Sequence, residues 1–131
     1  EMSDGRYQIN LEGINRFKVK KILDNKHKFI TVNAEELDYN SNFKKQTSQL
    51  SDKLLSNFKN YLNVKKIEFN TSEFENLDAL NLAKIICVIS PLDYLTKQML
   101  LEFNTSDDLC ENLISVLEIE INNFGKSSKI N

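Results

Sequence analysis

The chain has 131 residues, of which 40% are hydrophobic and 27% charged, ordinary values for one globular domain or two small coupled lobes. Its 17 Lys and Arg against 19 Asp and Glu leave no basic excess to drive nucleic-acid binding through phosphate neutralisation. One His, three Gly and two Cys offer almost nothing from which to build a metal site, a phosphate-binding loop or a His-based catalytic pair. We therefore expect no cofactor, and composition alone indicates no function.

Two features of the sequence indicate the compartment. Cys87 and Cys110 each lie in an apolar helical stretch, which favours small buried side chains over a disulfide. The first residues contain no apolar signal-peptide core, and the longest apolar run, residues 85–89, is far shorter than a membrane helix requires. The expectation is a cytoplasmic chain with no membrane partner.

Residues 1–44 are predicted to form a β lobe. Three segments alternate apolar and polar residues with the period of a half-buried strand: 7–11, 16–20 and 30–34. Gly13 interrupts the first alternation, as expected at a bulge or a strand bend, and Asp24-Asn25-Lys26 supplies a turn between the other two. Glu35-Glu36 follow the third segment and are interpreted as a solvated loop. Three strands seldom make a stable domain alone, so these strands must pair with something else.

Residues 45–131 are predicted to form a bundle of about four helices, which makes the fold class α+β. One apolar stripe marks the first helix: Leu50, Leu54, Leu55, Phe58 and Leu62. Ser72 with Glu75 resembles a capping box that opens a second helix, Leu77 to Ile89, apolar nearly all round. Ser90-Pro91 should end that helix, and Asp93 should cap the third. The last helix is predicted to begin near Asp107-Asp108 and to stop at Gly125.

No set of residues in the sequence predicts catalysis. His27 is the only imidazole and lies in a charged turn, where a solvated role is the simplest interpretation. The sequence contains no ATP-binding P-loop motif. Glu118 and Glu120 fall on different faces of a helix, and Asp107-Asp108 is explained by the helix dipole. We therefore interpret the chain as a binding module, and a hydrolase is retained only as a remote alternative because Ser and Lys are plentiful.

Two stretches of the sequence carry a family resemblance. Glu12-Gly13-Ile14-Asn15-Arg16-Phe17 is followed by an alternating strand, and Pro91-Leu92-Asp93 is followed by Lys97-Gln98-Met99-Leu100-Leu101-Glu102. Their order and spacing resemble the LON N-terminal domain, the substrate-binding domain family of ATP-dependent Lon proteases. The matching residues are interpreted mainly as fold determinants: Glu12, Gly13, Arg16, Phe17, Pro91, Lys97, Gln98, Leu101 and Glu102. Asp108 stands where family members often carry an Arg, so any contact of that Arg is in doubt here.

The resemblance implies a PUA-like β lobe over residues 1–44 that lacks the first β segment of the family, followed by the helical lobe. It also implies a non-catalytic domain that recognises unfolded or misfolded polypeptide, with protease ATPase domains as a second class of partner. No nucleic-acid partner is expected. Strand edges left open by the absent segment would invite a homodimer.

Three functional alternatives remain open at this stage. The chain is a stand-alone bacterial LON-domain protein, which its short polar tail favours; an N-terminal regulatory fragment of an ATP-dependent Lon protease; or, more remotely, a PUA-like RNA-binding module. Core packing cannot be separated from ligand contact for five aromatic residues near loops or helix edges: Phe43, Tyr61, Phe69, Phe74 and Tyr94.

Overall fold

The computed structural model describes residues 5–38 and 47–127, which comprise two strands, four α-helices and one 3-10 turn. The elements are β1 (Arg16–Leu23), β2 (Thr31–Leu37), α1 (Thr47–Lys65), the 3-10 turn (Ser72–Phe74), α2 (Ala79–Ile89), α3 (Tyr94–Leu101) and α4 (Ser106–Ser127). The chain divides into two compact units, Glu1–Asp38 and Tyr39–Asn131, called here the hairpin unit and the helical unit. A small sheet followed by four helices confirms the predicted α+β class.

The hairpin unit is built on an antiparallel pairing of β1 with β2. Ile22 lies opposite Val32 at one end and Lys18 opposite Glu35 towards the other, with a β-bulge between Val19 and Lys21. The connecting turn is organised by Asn25, as its sequence predicts. The Asn25 carboxamide oxygen accepts the His27 backbone N–H at 2.8 Å, a local bond typical of Asn in turns.

Two predictions for this unit are wrong. Residues 6–15 lie outside any strand, so the predicted strand over 7–11 does not form in the described structure, and Gly13 marks no bulge. A strand needs a hydrogen-bonded neighbour, and the described sheet contains only β1 and β2. Glu35-Glu36 are not a loop but part of β2, where the Glu35 carboxylate forms an ion pair with Lys20 and faces Lys18 across the ladder. Opposite charges across a ladder stabilise this pairing.

The core of the helical unit is formed by α1, α2 and α4. The predicted α1 stripe is confirmed, because Leu54 and Phe58 are fully buried. From α2 the buried side chains are Ala79, Leu82, Ala83 and Ile86, and from α4 they include Leu109, Leu113 and Leu117. Each helix contributes residues three and four positions apart, which is the spacing of one helical face. Most of the stability of this unit comes from that burial.

One predicted helix start is wrong and another is confirmed. Ser72 and Glu75 belong to a short 3-10 turn whose preceding residue makes no side-chain capping bond. The cap of α2 is instead Asp78, whose carboxylate accepts the Asn81 backbone N–H at 3.0 Å. Asp93 caps α3 as predicted and accepts from the Thr96 N–H at 3.0 Å. A carboxylate directly before the first helical residue satisfies N–H groups that a more distant Ser cannot reach.

The helix ends also differ in how well they follow the sequence. Ser90 is extended, with ψ 136°, and ends α2 one residue before Pro91, as predicted. Gly125 does not stop α4, which continues to Ser127. Glycine weakens a helix but ends it only where the chain turns into the left-handed region. Within the described ranges, no helix combines the length and apolar character needed to cross a membrane.

Candidate functional site

The two faces of the hairpin differ sharply in chemistry. Opposed residues share a face and successive residues alternate between faces, so the register places Phe17, Val19 and Ile22 on one side. Val32 and Ala34 lie opposite Ile22 and Val19 on that same side. We call these five residues the apolar face, although Glu36, which lies opposite Phe17, belongs to the same side of the sheet. Val19 and Ile22 are three positions apart, a spacing that normally puts two strand residues on opposite faces. The bulge between Val19 and Lys21 adds one residue to β1, so both side chains lie on the same face.

The apolar face is open to solvent. Phe17 is 61% exposed, Ile22 66% and Val19 47%. No side chain of described residues 5–38 is buried, so the hairpin unit has no core of its own. A two-stranded hairpin is marginally stable in water unless its apolar side packs against something. An uncovered apolar sheet face therefore points to a binding surface.

The opposite face of the hairpin is basic. The register places Lys18 and Lys21 there, with Glu35 opposite Lys18. The Lys20 side chain forms its ion pair with Glu35, and this pairing lowers the pKa of that carboxyl through the hydrogen bond and charge of Lys20. The turn between the strands carries Lys26 and Lys28 together with Asp24. The hairpin therefore carries an apolar surface and a cationic surface back to back.

A second group of exposed apolar side chains surrounds the turn between α2 and α3. Its members are Val88, Ile89, Tyr94, Leu95 and Met99, and we call them the α2–α3 corner. The Lys97 ammonium donates to the Val88 carbonyl at 3.1 Å and so ties α3 back to the end of α2. Leu95 and Met99 lie one helical turn apart on the same face of α3. This corner belongs to the helical unit and is described separately from the hairpin.

The family-motif residues occupy different kinds of positions. Arg16 and Phe17 begin β1, whereas Glu12 and Gly13 lie in the exposed segment before it. A side chain at Gly13 would meet no atom within 4 Å, so space does not require glycine at this position. No set of these residues forms a pocket or a catalytic arrangement in the described structure.

The helical motif residues have structural roles in the α2–α3 region. Pro91 follows the extended Ser90, and Lys97 makes the bond to Val88 described above. The Gln98 carboxamide donates to the Glu102 carboxylate at 2.9 Å along one face of α3. Leu101 is exposed and Glu102 caps the end of the helix. Their interpretation as fold determinants stays a prediction that these contacts support.

The five aromatic candidates separate into core and surface. Tyr61 and Phe74 are buried, whereas Phe69 and Tyr94 are exposed, Tyr94 at 79%. Phe69 packs against the rings of Phe58 and Phe74, with centroids 6.5 and 5.5 Å away, so it extends the core to the surface. Phe43 lies outside the described residues. Tyr94 is therefore the most exposed of the four described rings.

The Tyr61 hydroxyl is buried and has no hydrogen-bond partner among the described residues. Burial raises the pKa of this hydroxyl. The Lys65 ammonium lies 5.7 Å from the Tyr61 ring centroid and forms a 2.8 Å ion pair with Glu120 on α4. This arrangement joins α1 to α4 and serves the packing of the helical unit rather than a ligand.

The cysteines and acidic residues do not form a reactive centre. Burial raises the pKa of the Cys87 thiol to about 11 and of the Cys110 thiol to about 12, so both stay protonated and inert near neutral pH. Both thiols are free. Across residues 5–38 and 47–127, no three His, Cys, Asp or Glu side chains come together in a group that could hold a metal ion.

Sequence reasoning missed the apolar and basic faces of the hairpin. The apolar residues of β1 change phase at the bulge, and no sequence pattern marks where a bulge falls. The charge of β1 and its turn could have been found by counting over short segments. Residues 16–30 carry six basic side chains and one acidic side chain, which the whole-chain balance of −2 conceals.

Comparisons with known proteins agree with this architecture. A family model described as the ATP-dependent protease La (LON) substrate-binding domain matches residues 1–118. A protein named Lon protease from Buchnera aphidicola subsp. Baizongia pistaciae (strain Bp) is 31% identical over 124 residues. That match covers 92% of this chain and only 16% of the Buchnera protein. The chain belongs to the LON substrate-binding domain family.

Proposed function

We propose that the chain is a non-catalytic domain that binds unfolded polypeptide through the apolar face of its hairpin. The observation that carries this proposal is the exposure of Phe17, Val19 and Ile22 on a sheet with no core beneath it. Membership of a family described as substrate-binding supports the same assignment. A cytoplasmic location is part of the proposal.

The physical argument starts from what an unfolded chain offers. Apolar side chains that a folded protein would bury are exposed in an unfolded polypeptide, and their contact with Phe17 and Ile22 removes both surfaces from water. Binding by such surfaces needs no chemical step, which agrees with the inert cysteines and the solvated His27.

A second candidate function follows from the comparison with the Buchnera protein. The match covers 16% of the length of that Lon protease, so a segment similar to this chain forms part of a much longer protein. In this alternative the chain presents polypeptide to ATPase and protease domains encoded with it. The reading frame around the gene distinguishes the two candidates, because an ATPase P-loop in the same frame would favour the protease fragment.

Binding to a permanently unfolded protein tests the proposal. Reduced and carboxymethylated lactalbumin serves as the probe, titrated against the chain by fluorescence anisotropy. We expect saturable binding that the double substitution Phe17→Ser, Ile22→Ser abolishes. Both positions lie on the exposed apolar face, so the fold of the helical unit should be unaffected. The isolated chain is expected to hydrolyse neither ATP nor casein.

The matched control is the double substitution Tyr94→Ser, Leu95→Ser, which removes two equally exposed apolar side chains from the α2–α3 corner. If the hairpin is the binding surface, this variant binds nearly as well as the original chain. Absence of binding by the unaltered chain at high micromolar concentration would overturn the proposed function. Equal losses in both double variants would place the surface on both units and contradict the assignment to the hairpin.

A further inference from the structure

Basic side chains are concentrated in one segment of the hairpin unit, although residues 1–38 as a whole carry seven basic and seven acidic side chains. Residues 16–30 carry six basic side chains against one acidic side chain, whereas residues 47–127 carry seven basic against twelve acidic. The net charge of the whole chain is only −2, so it reveals neither the basic segment nor the acidic excess of residues 47–127. The cationic segment coincides with β1 and the turn that follows it.

The lysines of the hairpin are only partly neutralised. Lys20 forms an ion pair with Glu35, and Lys18 lies opposite the same carboxylate. Within the described ranges, no ion pair occurs at Lys21, Lys26 or Lys28. On the side of the hairpin that faces away from Phe17 and Ile22, the β1 lysines outnumber Glu35, which leaves a net positive surface.

Among residues 5–38 and 47–127, no strand pairs with the outer edge of β1. The described sheet has two strands, so each strand has one neighbour and one free edge. Such an edge presents a row of unpaired backbone N–H and C=O groups that can accept another strand. A strand added there would continue both faces of the hairpin, with its alternate side chains beside the apolar face and beside the basic face.

The charge on β1 disfavours a second copy of this chain as that added strand. Antiparallel pairing of two β1 strands would bring Lys18, Lys20 and Lys21 of each copy close together. Like charges opposed across a ladder are destabilising, and lysines on an edge strand oppose self-association. The homodimer that the family resemblance implies therefore stays a prediction that this edge does not support.

We propose that the preferred ligand is an extended polypeptide segment that adds to the outer edge of β1 and alternates apolar residues with Asp or Glu. The apolar residues of the ligand pack beside Phe17, Val19 and Ile22. The Asp or Glu residues alternate with these apolar residues along the ligand, so their carboxylates lie on the other face, beside Lys18 and Lys21. This inference rests on the proposed function, since it names the class of unfolded polypeptide that the hairpin selects.

The size of the expected selectivity follows from the exposure of the lysines. Ion pairs at a solvated surface are individually weak, so two or three together give roughly a tenfold preference over a neutral ligand. Salt screens such pairs, and the preference should collapse in about 1 M salt. The backbone pairing and apolar contacts would persist there, so overall binding should remain.

Three peptides of equal length test the proposal. They share the same alternating apolar residues and carry Glu, Gln or Lys at every polar position. We expect the Glu peptide to bind about tenfold more tightly than the Gln peptide, and the Lys peptide to bind more weakly than both. Equal binding by all three would overturn the proposal while leaving the proposed function intact. Failure of all three peptides and of the unfolded lactalbumin to bind would overturn the proposed function itself.

The double substitution Lys18→Glu, Lys21→Glu tests whether the hairpin lysines cause this selectivity for acidic peptides. It should reverse the preference, so that the Lys peptide binds more tightly than the Glu peptide. The control is Lys53→Glu on the exposed side of α1, which should leave the preference unchanged. A preference for the Glu peptide that survives the hairpin double substitution would overturn the proposal.

Backbone methylation distinguishes strand addition from general attraction between charges. Two versions of the Glu peptide are methylated on alternate backbone nitrogens, one on odd and one on even positions. In an added strand, alternate N–H groups point to the same side, so only one version should lose binding. Equal binding by both versions would exclude strand addition. A single-stranded oligonucleotide that displaces the Glu peptide at lower concentration would contradict the polypeptide assignment.

Discussion

The helical unit and the hairpin unit handle their apolar residues in opposite ways. Leu54, Phe58 and Leu113 are fully buried in the helical unit, whereas no side chain of described residues 5–38 is buried. Helices satisfy their own backbone hydrogen bonds and need only one packed face to be stable. A hairpin leaves two edges and two faces to be covered, so an isolated one depends on what it contacts. The unit whose described residues include no buried side chain is therefore the one best suited to bind.

The largest expected effect comes from truncating a side chain in the core of the helical unit. Leu113→Ala removes a fully buried side chain of α4 and should lower the free energy of unfolding by about 2–5 kcal/mol. Chemical denaturation followed by helical circular dichroism measures it. The matched truncation in the hairpin, Phe17→Ala, should change the same quantity by less than about 1 kcal/mol, since the ring is exposed. Similar losses for the two variants would mean that Phe17 is buried in solution.

Substitution of Asp78 tests which residue caps the start of α2. Asp78→Ala removes the carboxylate that accepts the Asn81 N–H and should cost about 1 kcal/mol of unfolding free energy. Asp78→Asn keeps an acceptor at the same position and should cost less. Ser72→Ala, at the position that the sequence predicted as the cap, should have a smaller effect than Asp78→Ala. A larger loss of unfolding free energy for Ser72→Ala than for Asp78→Ala would show that Ser72, as the capping box predicts, is the cap of α2.

The buried Tyr61 hydroxyl predicts a gain in stability. Tyr61→Phe keeps the ring against Phe58 and Lys65 but removes a hydroxyl with no partner among the described residues. The free energy of unfolding should rise by up to about 1 kcal/mol, because no unpaired polar group is then desolvated on folding. Tyr94→Phe, on an exposed ring, is the control and should change nothing. Destabilisation by Tyr61→Phe would reveal a hydrogen bond to that hydroxyl in solution.

The smallest expected effect is a difference in acid sensitivity. Hydrogen bonds from the Asn81 N–H to Asp78, and from Thr96 to Asp93, lower the pKa of each carboxyl. A lowered folded-state pKa gives stability that is present above about pH 4 and lost as the pH falls through the folded-state value. The double variant Asp78→Asn, Asp93→Asn should therefore lose less stability on acidification than the original chain. Identical pH profiles from thermal unfolding would contradict this assignment.

The sequence predicts the helical unit better than the hairpin, for physical reasons. The stripe containing Leu54 and Phe58 and the Asp93 cap are local patterns that a helix needs and a sequence displays. The bulge near Val19 and the absence of a strand over residues 7–11 depend on which segments pair, and alternation does not specify a partner. Glu35-Glu36 were misplaced for the same reason, since only the register puts Glu35 opposite Lys18.

The candidate site was predictable only in part. The motif residues Arg16 and Phe17 lie at the start of β1, where the sequence predicts a strand. The 61% exposure of Phe17 is not predictable from the sequence, because it depends on which other segments pack against the strand. The cationic character of the hairpin is present in the sequence but is hidden by a net charge of −2. Counting charge over the length of one element rather than over the chain would have located it.

Hydrogen–deuterium exchange with and without unfolded lactalbumin tests the central claim most directly. The free chain should exchange rapidly over Arg16–Leu23 and slowly over the buried parts of α1, α2 and α4, because stability differs between the two units. Addition of the unfolded protein should slow exchange in β1 and leave the rates in α4 unchanged. Protection confined to the helices, with β1 exchanging as fast as in the free chain, would contradict the hairpin as the binding surface.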